Sequence, residues 1–293
     1  MIKKLLLPLL MFTSTLIPMT NNTPTSIPNH QISVIFDMNG VLVETKGEIY
    51  LFGIEKLVSY AVTQNPLTLK KQIKENLFQL LNGLEERHPL EVESRDERED
   101  LLPQCLCNWM KGVHSAATIK NMAHAKLDLY PQDAQTNLLR DMTHLMFTPE
   151  IFSKTQHLVP STAEFVKELK EKGYRVYILS NFCSESFNHI KQRYADFFEL
   201  FDGIIVSAEV GFIKPDPNIY RHLLTTHDID PRTACFIDDV PVNVHAAKSL
   251  GIHGIHCPLK HGYITGGTPD IETVRREFQA WRNSLLMHDA AIA

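Results

Sequence analysis

Apolar positions follow two different patterns along the chain, and the change falls near Pro160. Upstream, Ile32 to Phe36 is a β-branched and aromatic run that predicts a short buried strand ending at Asp37. Helices are then predicted over about Glu48–Thr63, Leu67–Leu81, Gln104–Lys111, Ala116–Leu127 and Gln132–Phe147, with no strand among them. Pro66, Pro89, Pro103, Pro131 and Pro149 punctuate this stretch.

Downstream of Pro160, strands and helices alternate. Ser161 and Glu164 predict a capping box for a helix that stops at Gly173. The strand Tyr174–Leu179 then delivers Ser180 and Asn181, a helix follows over about Glu185–Tyr194, and Gly203–Val206 is a strand. Asp216 caps a helix with Pro217 in first place, and the strand Cys235–Ile237 delivers Asp238 and Asp239. Val240–Leu250 reads as a helix and Ile252–His256 as the last strand. This alternation predicts an α/β fold, a Rossmann-like doubly wound parallel sheet whose ligand site lies at the carboxyl ends of the strands. The segment Ile271–Leu286, with Phe278, Trp281 and Leu285, predicts an amphipathic helix docked on that core.

Composition narrows the function classes. At 44% hydrophobic and 22% charged, the 293 residues match a soluble globular protein and exclude a disordered, collagen-like or polytopic membrane chain. The net charge of -5 lacks the basic excess of a nucleic-acid binder. Eight acids and three bases crowd Glu85–Asp100, which reads as a solvated loop or helix surface, with an interaction surface as the alternative.

Residues 1–25 open with Lys3 and Lys4, continue through the apolar run Leu5–Phe12 and turn polar, the shape of a signal peptide. An uncleaved N-terminal anchor and an extension without targeting meaning are the alternatives; the run is too short for an ordinary membrane span. The expected localisation is therefore exported, periplasmic or secreted, with the cytoplasm as the alternative and no other membrane contact. Five cysteines, an odd number without metal or redox spacing, are expected to be free thiols, which suits a reducing compartment better. His253 and His256 fall on opposite faces of a strand and read as packing or surface groups.

Four segments in order resemble the haloacid dehalogenase-like superfamily: FDMNGVLVE (Phe36–Glu44), YILSN (Tyr177–Asn181), GFIKPDPNIY (Gly211–Tyr220) and CFIDDVPVN (Cys235–Asn243). From Asp37 to Ser180 there are 143 positions, but only 34 from Ser180 to Lys214. The resemblance therefore implies an all-helical cap domain inserted after the first motif, over residues 48–155. Residues 31–47 and 156–293 would form the catalytic core.

The resemblance further implies that Asp37 attacks phosphorus and forms an aspartyl-phosphate, splitting one hard displacement into two easier ones. Mg²⁺ would be held by Asp37, Asp239 and the backbone carbonyl of Asn39, with Asp238 behind them, and Lys214 would neutralise the transferring oxygens. The phosphate group would be bound by Ser180, Asn181, Lys214 and the loop at Met38 and Asn39, with Asn243 orienting the metal ligands. Asp37, Lys214 and Ser180 are the catalytic candidates.

One position departs from the pattern. Phosphatases of this superfamily usually carry a second aspartate two residues after the nucleophile, and here that residue is Asn39, whose amide cannot donate and recover a proton. The expected function is a Mg²⁺-dependent phosphatase of a small phosphorylated metabolite, sugar- or nucleotide-like, that favours good leaving groups. A catalytically weak phosphate-binding or regulatory domain, or dehalogenase or phosphotransferase chemistry, are the alternatives. Substrate choice is expected in the helical insertion, with Tyr50, Phe52 and Trp109 among the candidate lining residues.

Overall fold

The structure is a computed structural model that describes residues 27–45, 69–88, 92–96, 99–260 and 268–292. Residues 1–25 and the expected helix Glu48–Thr63, with Tyr50 and Phe52, lie outside the described residues.

Five parallel strands form the central sheet: β1 (Ser33–Phe36), β4 (Arg175–Ser180), β5 (Gly203–Val206), β6 (Ala234–Asp238) and β7 (His253–His256). Their order is β5-β4-β1-β6-β7, so the chain builds outward from β1 on one side and then crosses to the other. The apolar runs are continuous because both faces are covered. Val34, Phe36, Val176, Ile178, Cys235 and Ile237 belong to one core, whereas Ile35, Tyr177, Leu179 and Phe236 belong to the other. A strand repeat of two residues produces that division.

The helical insertion leaves and re-enters the core through a short antiparallel pair, β2 (Val43–Thr45) with β3 (Gln156–Leu158), which the sequence pattern did not reveal. Between them lie α1 (Leu69–Asn82), α2 (Gln104–Met110), α3 (Ala116–Leu127), α4 (Ala134–Met146) and α5 (Pro149–Lys154). Four of these match expected helices to within two residues. The fifth, α5, was missed because Pro149 was read as a break; it occupies the first turn, where a missing amide hydrogen is harmless.

The core helices are α6 (Pro160–Glu171), α7 (Ser184–Arg193), α8 (Pro217–Thr226), α9 (Pro241–Ser249) and α10 (Ile271–Ile292). The expected capping box at Ser161 and Glu164 does not form. Pro160 takes the first helical position and Val159 becomes the cap without a side-chain bond, which moves Ser161 inside the helix. Asp216 does cap α8, accepting from the Asn218 amide at 2.9 Å. α10 buries Ile271, Val274, Phe278 and Trp281 against the sheet layer, where Trp281 stacks on His253 at 5.1 Å. His253 is thus a packing group, as expected. All five cysteines are buried free thiols. Among the described residues, no helix is long and apolar enough to cross a membrane.

Candidate active site

Parallel pairing in register brings three strand ends to one edge: Phe36 lies opposite Ile178 on one side and Ile237 on the other. The next residues, Asp37, Ser180 with Asn181, and Asp238 with Asp239, therefore converge in the middle of the sheet. Lys214 reaches them from the loop between β5 and α8. Its Nζ donates to Asp37 Oδ1 at 2.6 Å, Asp238 Oδ2 at 2.7 Å and the Leu179 carbonyl at 2.9 Å, using all three donors while only 1% exposed. Asp238 is held from behind, accepting from the Val240 amide at 2.8 Å and from Asn243 Nδ2 at 3.2 Å.

Burial dominates the electrostatics. It pushes the Asp37 carboxyl up to about 7 against the opposing pull of Lys214, with Asp238 adding to the rise. Burial also opposes charge on Lys214, but Asp238 and Asp37 outweigh it and hold the ammonium above its ordinary value. One ammonium among three buried carboxylates leaves negative charge in excess. Asp37, Asp238 and Asp239 each offer an oxygen within 4.8 Å of the others, a hard all-oxygen set that fits Mg²⁺. Gly40 makes the close approach feasible. It sits at φ +82°, and a Cβ there would collide with the Asp239 carboxylate.

The expected phosphate-binding residues take several positions. Ser180 Oγ is buried at the strand end with no hydrogen-bond partner, a donor still unspent. Met38 is fully buried; its amide bonds the Asp37 carboxylate and its carbonyl closes the loop by accepting from Leu42 and Val43 at 2.8 Å. Asn39 is exposed and lines the cavity above Asp37. The Asn181 side chain is committed elsewhere: Oδ1 accepts from the Lys214 amide at 2.7 Å and Nδ2 donates to the Lys214 carbonyl at 2.9 Å. Those two bonds aim the lysine, and the residue also lines the cavity.

The acidic segment is the main residue set that sequence reasoning misplaced. Ser94, 1% exposed, donates from Oγ to the Lys214 carbonyl at 2.9 Å, and Arg95 and Asp96 line the cavity. Asp96 is paired with Lys74 of α1. The run is therefore partly a wall of the site and not only a solvated surface. Its one sequence signal is a lone hydroxyl among charges, too common to be informative.

A cavity of about 230 Å³ opens over this floor. Its opposite wall is apolar and includes Trp109, which packs edge-on against Phe147 at 5.0 Å. Ser207 ties the wall together, donating to the Met110 carbonyl at 2.5 Å and accepting from the Phe182 amide at 3.0 Å.

Comparison with known proteins agrees with this architecture. A sesquiterpene phosphatase of Aspergillus oryzae is 36% identical over 91 residues, covering 31% of this chain and 46% of the relative. A D-ribitol-5-phosphate phosphatase of Bacteroides thetaiotaomicron is 31% identical over 88 residues, 27% of this chain and 41% of the relative. Each match thus spans less than half of the relative's own length. A HAD family enzyme of Bacteroides thetaiotaomicron shares the fold with a TM-score of 0.50 at 18% identity, covering 81% of this chain and 97% of that one. The family model for haloacid dehalogenase-like hydrolases matches residues 33–251, from the first residue of β1 to beyond the Asp238–Asp239 pair. With the four motifs gathered at one sheet edge inside that span, the chain belongs to the haloacid dehalogenase-like hydrolases.

Proposed function

We propose that this hydrolase is a Mg²⁺-dependent phosphatase of small phosphomonoesters that works through an aspartyl-phosphate on Asp37. The observation that carries the reading is the Lys214 ammonium bridging Asp37 and Asp238 within a buried set of three carboxylates. The phosphatases among its relatives lend it support.

Asp37 attacks phosphorus, the bond from phosphorus to the leaving oxygen breaks, and its electron pair leaves with the alkoxide. Lys214 offsets charge on the transferring oxygens, and the unspent Ser180 hydroxyl donates to one of them. Asp37, Asp239 and the Asn39 carbonyl would hold Mg²⁺, which supplies further neutralisation of the phosphoryl group when bound. Because Asn39 cannot protonate the leaving oxygen, the proton comes from water, and esters of acidic alcohols or phenols react fastest. Water then attacks the aspartyl-phosphate, releasing phosphate and restoring the Asp37 carboxylate.

Fresh protein with Mg²⁺ should release phosphate from an aryl phosphate, lose that activity to a chelator and regain it on metal return. It should also accumulate acid-stable, hydroxylamine-sensitive phosphoenzyme. Asn39 favours a second reading, a phosphate-binding domain with little turnover. Binding of Mg²⁺ and phosphate without hydrolysis of any ester would select it.

Export through residues 1–25 is also proposed, on Lys3, Lys4 and the apolar run that follows. A fusion of residues 1–30 to a reporter active only outside the cytoplasm should give signal, with a mature N-terminus between Thr13 and Gln31. An intact Met1 in cytoplasmic protein would refute export.

A further inference from the structure

Away from the charged floor, the described lining of the cavity is mostly hydrocarbon. Leu106, Trp109 and Met110 from α2, Met146 from α4, Phe152 from α5 and Phe182 after β4 face the floor across the cavity. The aromatic members form a continuous surface, with Trp109 to Phe152 at 6.4 Å and Phe152 to Phe182 at 6.1 Å between ring centres. Cys183 adds a thiol that burial pushes up to about 11, so it stays neutral. The Trp109 indole nitrogen has no partner, but it is itself buried.

Of the polar side chains lining the cavity beside the floor, Arg95, Asp96 and Asn181 are engaged, whereas the exposed Asn39 and Asn243 Oδ1 keep hydrogen-bonding capacity close to the floor. Arg95 donates to Glu93 at 2.9 Å and to the Glu99 carbonyl at 2.8 Å, Asp96 is paired with Lys74, and Asn181 grips the Lys214 backbone. Each hydroxyl of a sugar or polyol enclosed against this wall would lose water without replacement, at roughly five-fold or more in affinity. A methylene in the same place gains about four-fold. The cavity is also small beside the ~300–1,000 Å³ of common ligand pockets.

We infer that the site takes phosphomonoesters of compact apolar alcohols or phenols, with the phosphoryl group on the charged floor and a hydrocarbon group against the aromatic wall. This rests on the phosphatase reading for its chemistry but not for its binding preference. It differs from the sugar- or nucleotide-like class expected from sequence.

The test uses phosphonates, which bind without being hydrolysed. Methyl-, propyl- and pentylphosphonate, 2,3-dihydroxypropylphosphonate and inorganic phosphate would be titrated calorimetrically into the full-length protein with Mg²⁺. The matching phosphate esters would be assayed for kcat/KM. Affinity should rise by about four-fold per methylene until the cavity is filled, and the dihydroxypropyl compound should bind at least ten-fold more weakly than propylphosphonate. A flat series, or tighter binding of the dihydroxy compound, overturns the inference, and hydrolysis of the esters alongside it would leave the phosphatase reading standing. A rising series without hydrolysis of any ester supports the apolar site and removes the phosphatase. Met110→Gln and Met146→Gln, both half-buried and so tolerant of change, should each weaken pentylphosphonate relative to inorganic phosphate by about ten-fold. No change in that ratio in either variant would also overturn the assignment.

Discussion

At the carboxyl edge of the sheet most of the described polar atoms are tied to one another: Lys214 spends three donors and Asp238 is held by Val240 and Asn243, while the Ser180 hydroxyl and Asn243 Oδ1 have no partner. Across the cavity, Met146, Phe152 and the Trp109 ring meet the same space with hydrocarbon, and the one polar atom among them, the indole nitrogen, is buried. The floor depends on direction, so a displacement of a fraction of an ångström breaks a charged bond. The wall depends on area, so many side chains of similar volume would serve. In the proposed reading, chemistry and selectivity are separated into two surfaces that different substitutions can address.

The largest effect should come from the floor. Asp37→Asn removes the proposed nucleophile, and turnover and phosphoenzyme should fall by roughly 10³-fold or more. Thermal unfolding should stay nearly level or shift upward, since a buried carboxylate beside Asp238 is gone. Retained hydrolysis would mean that water attacks directly.

Lys214→Met should abolish activity as well, but with a different signature. Asp37 and Asp238 would lose their shared cation, so denaturant unfolding should show a loss of about 3–5 kcal/mol. A stable, inactive variant would mean that the lysine serves chemistry alone.

Asn39→Asp acts at the rim where the two surfaces meet. It restores a proton donor and a base for water, and alkyl phosphate turnover should rise by ten-fold or more, within the roughly 10² to 10⁴ of general acid-base catalysis. An aryl phosphate should gain less. Asn39-Gly40 is prone to deamidation, so fresh protein is needed for the comparison.

Ser94→Ala cuts the contact between the acidic segment and the lysine loop. Stability should drop by about 1 kcal/mol, with a several-fold loss of kcat and little change in KM. An unchanged kcat would make Ser94 a structural residue only.

The smallest effect lies far from both surfaces. Arg275 donates to both oxygens of Glu168, at 2.7 and 2.8 Å, and holds its carboxyl below the ordinary range against a smaller opposing effect of burial. A depressed pKa contributes stability above the ~4.3 of an unfolded glutamate, lost as the pH falls through the folded value. Arg275→Met should therefore lower stability by less than about 1 kcal/mol at pH 7, and the difference should vanish in acid. Activity should not move.

The floor was legible in the sequence because its residues follow strands. Asp37, Ser180 and Asp238–Asp239 each terminate an apolar run, and parallel strands deliver their ends to one edge. The wall was mostly illegible. Trp109 was among the candidates, but Met146 and Phe152 come from helices whose apolar residues look alike whether they line a cavity or fill a core. The bonds by which Asn181 aims Lys214 were also illegible, because they span 33 positions.

What the sequence by itself determined is therefore local and periodic: the alternation of strands and helices, the proline-led start of α8, the residues at strand ends and the departure at Asn39. Only the tertiary structure decided which polar atoms are already satisfied, that Ser94 reaches Lys214 across 120 positions, and that the described wall facing the floor is mostly hydrocarbon. The physical reason is range. Backbone geometry repeats every two or 3.6 residues and marks the chain where it acts, while hydrogen bonds and cavities join residues whose separation leaves no periodic trace.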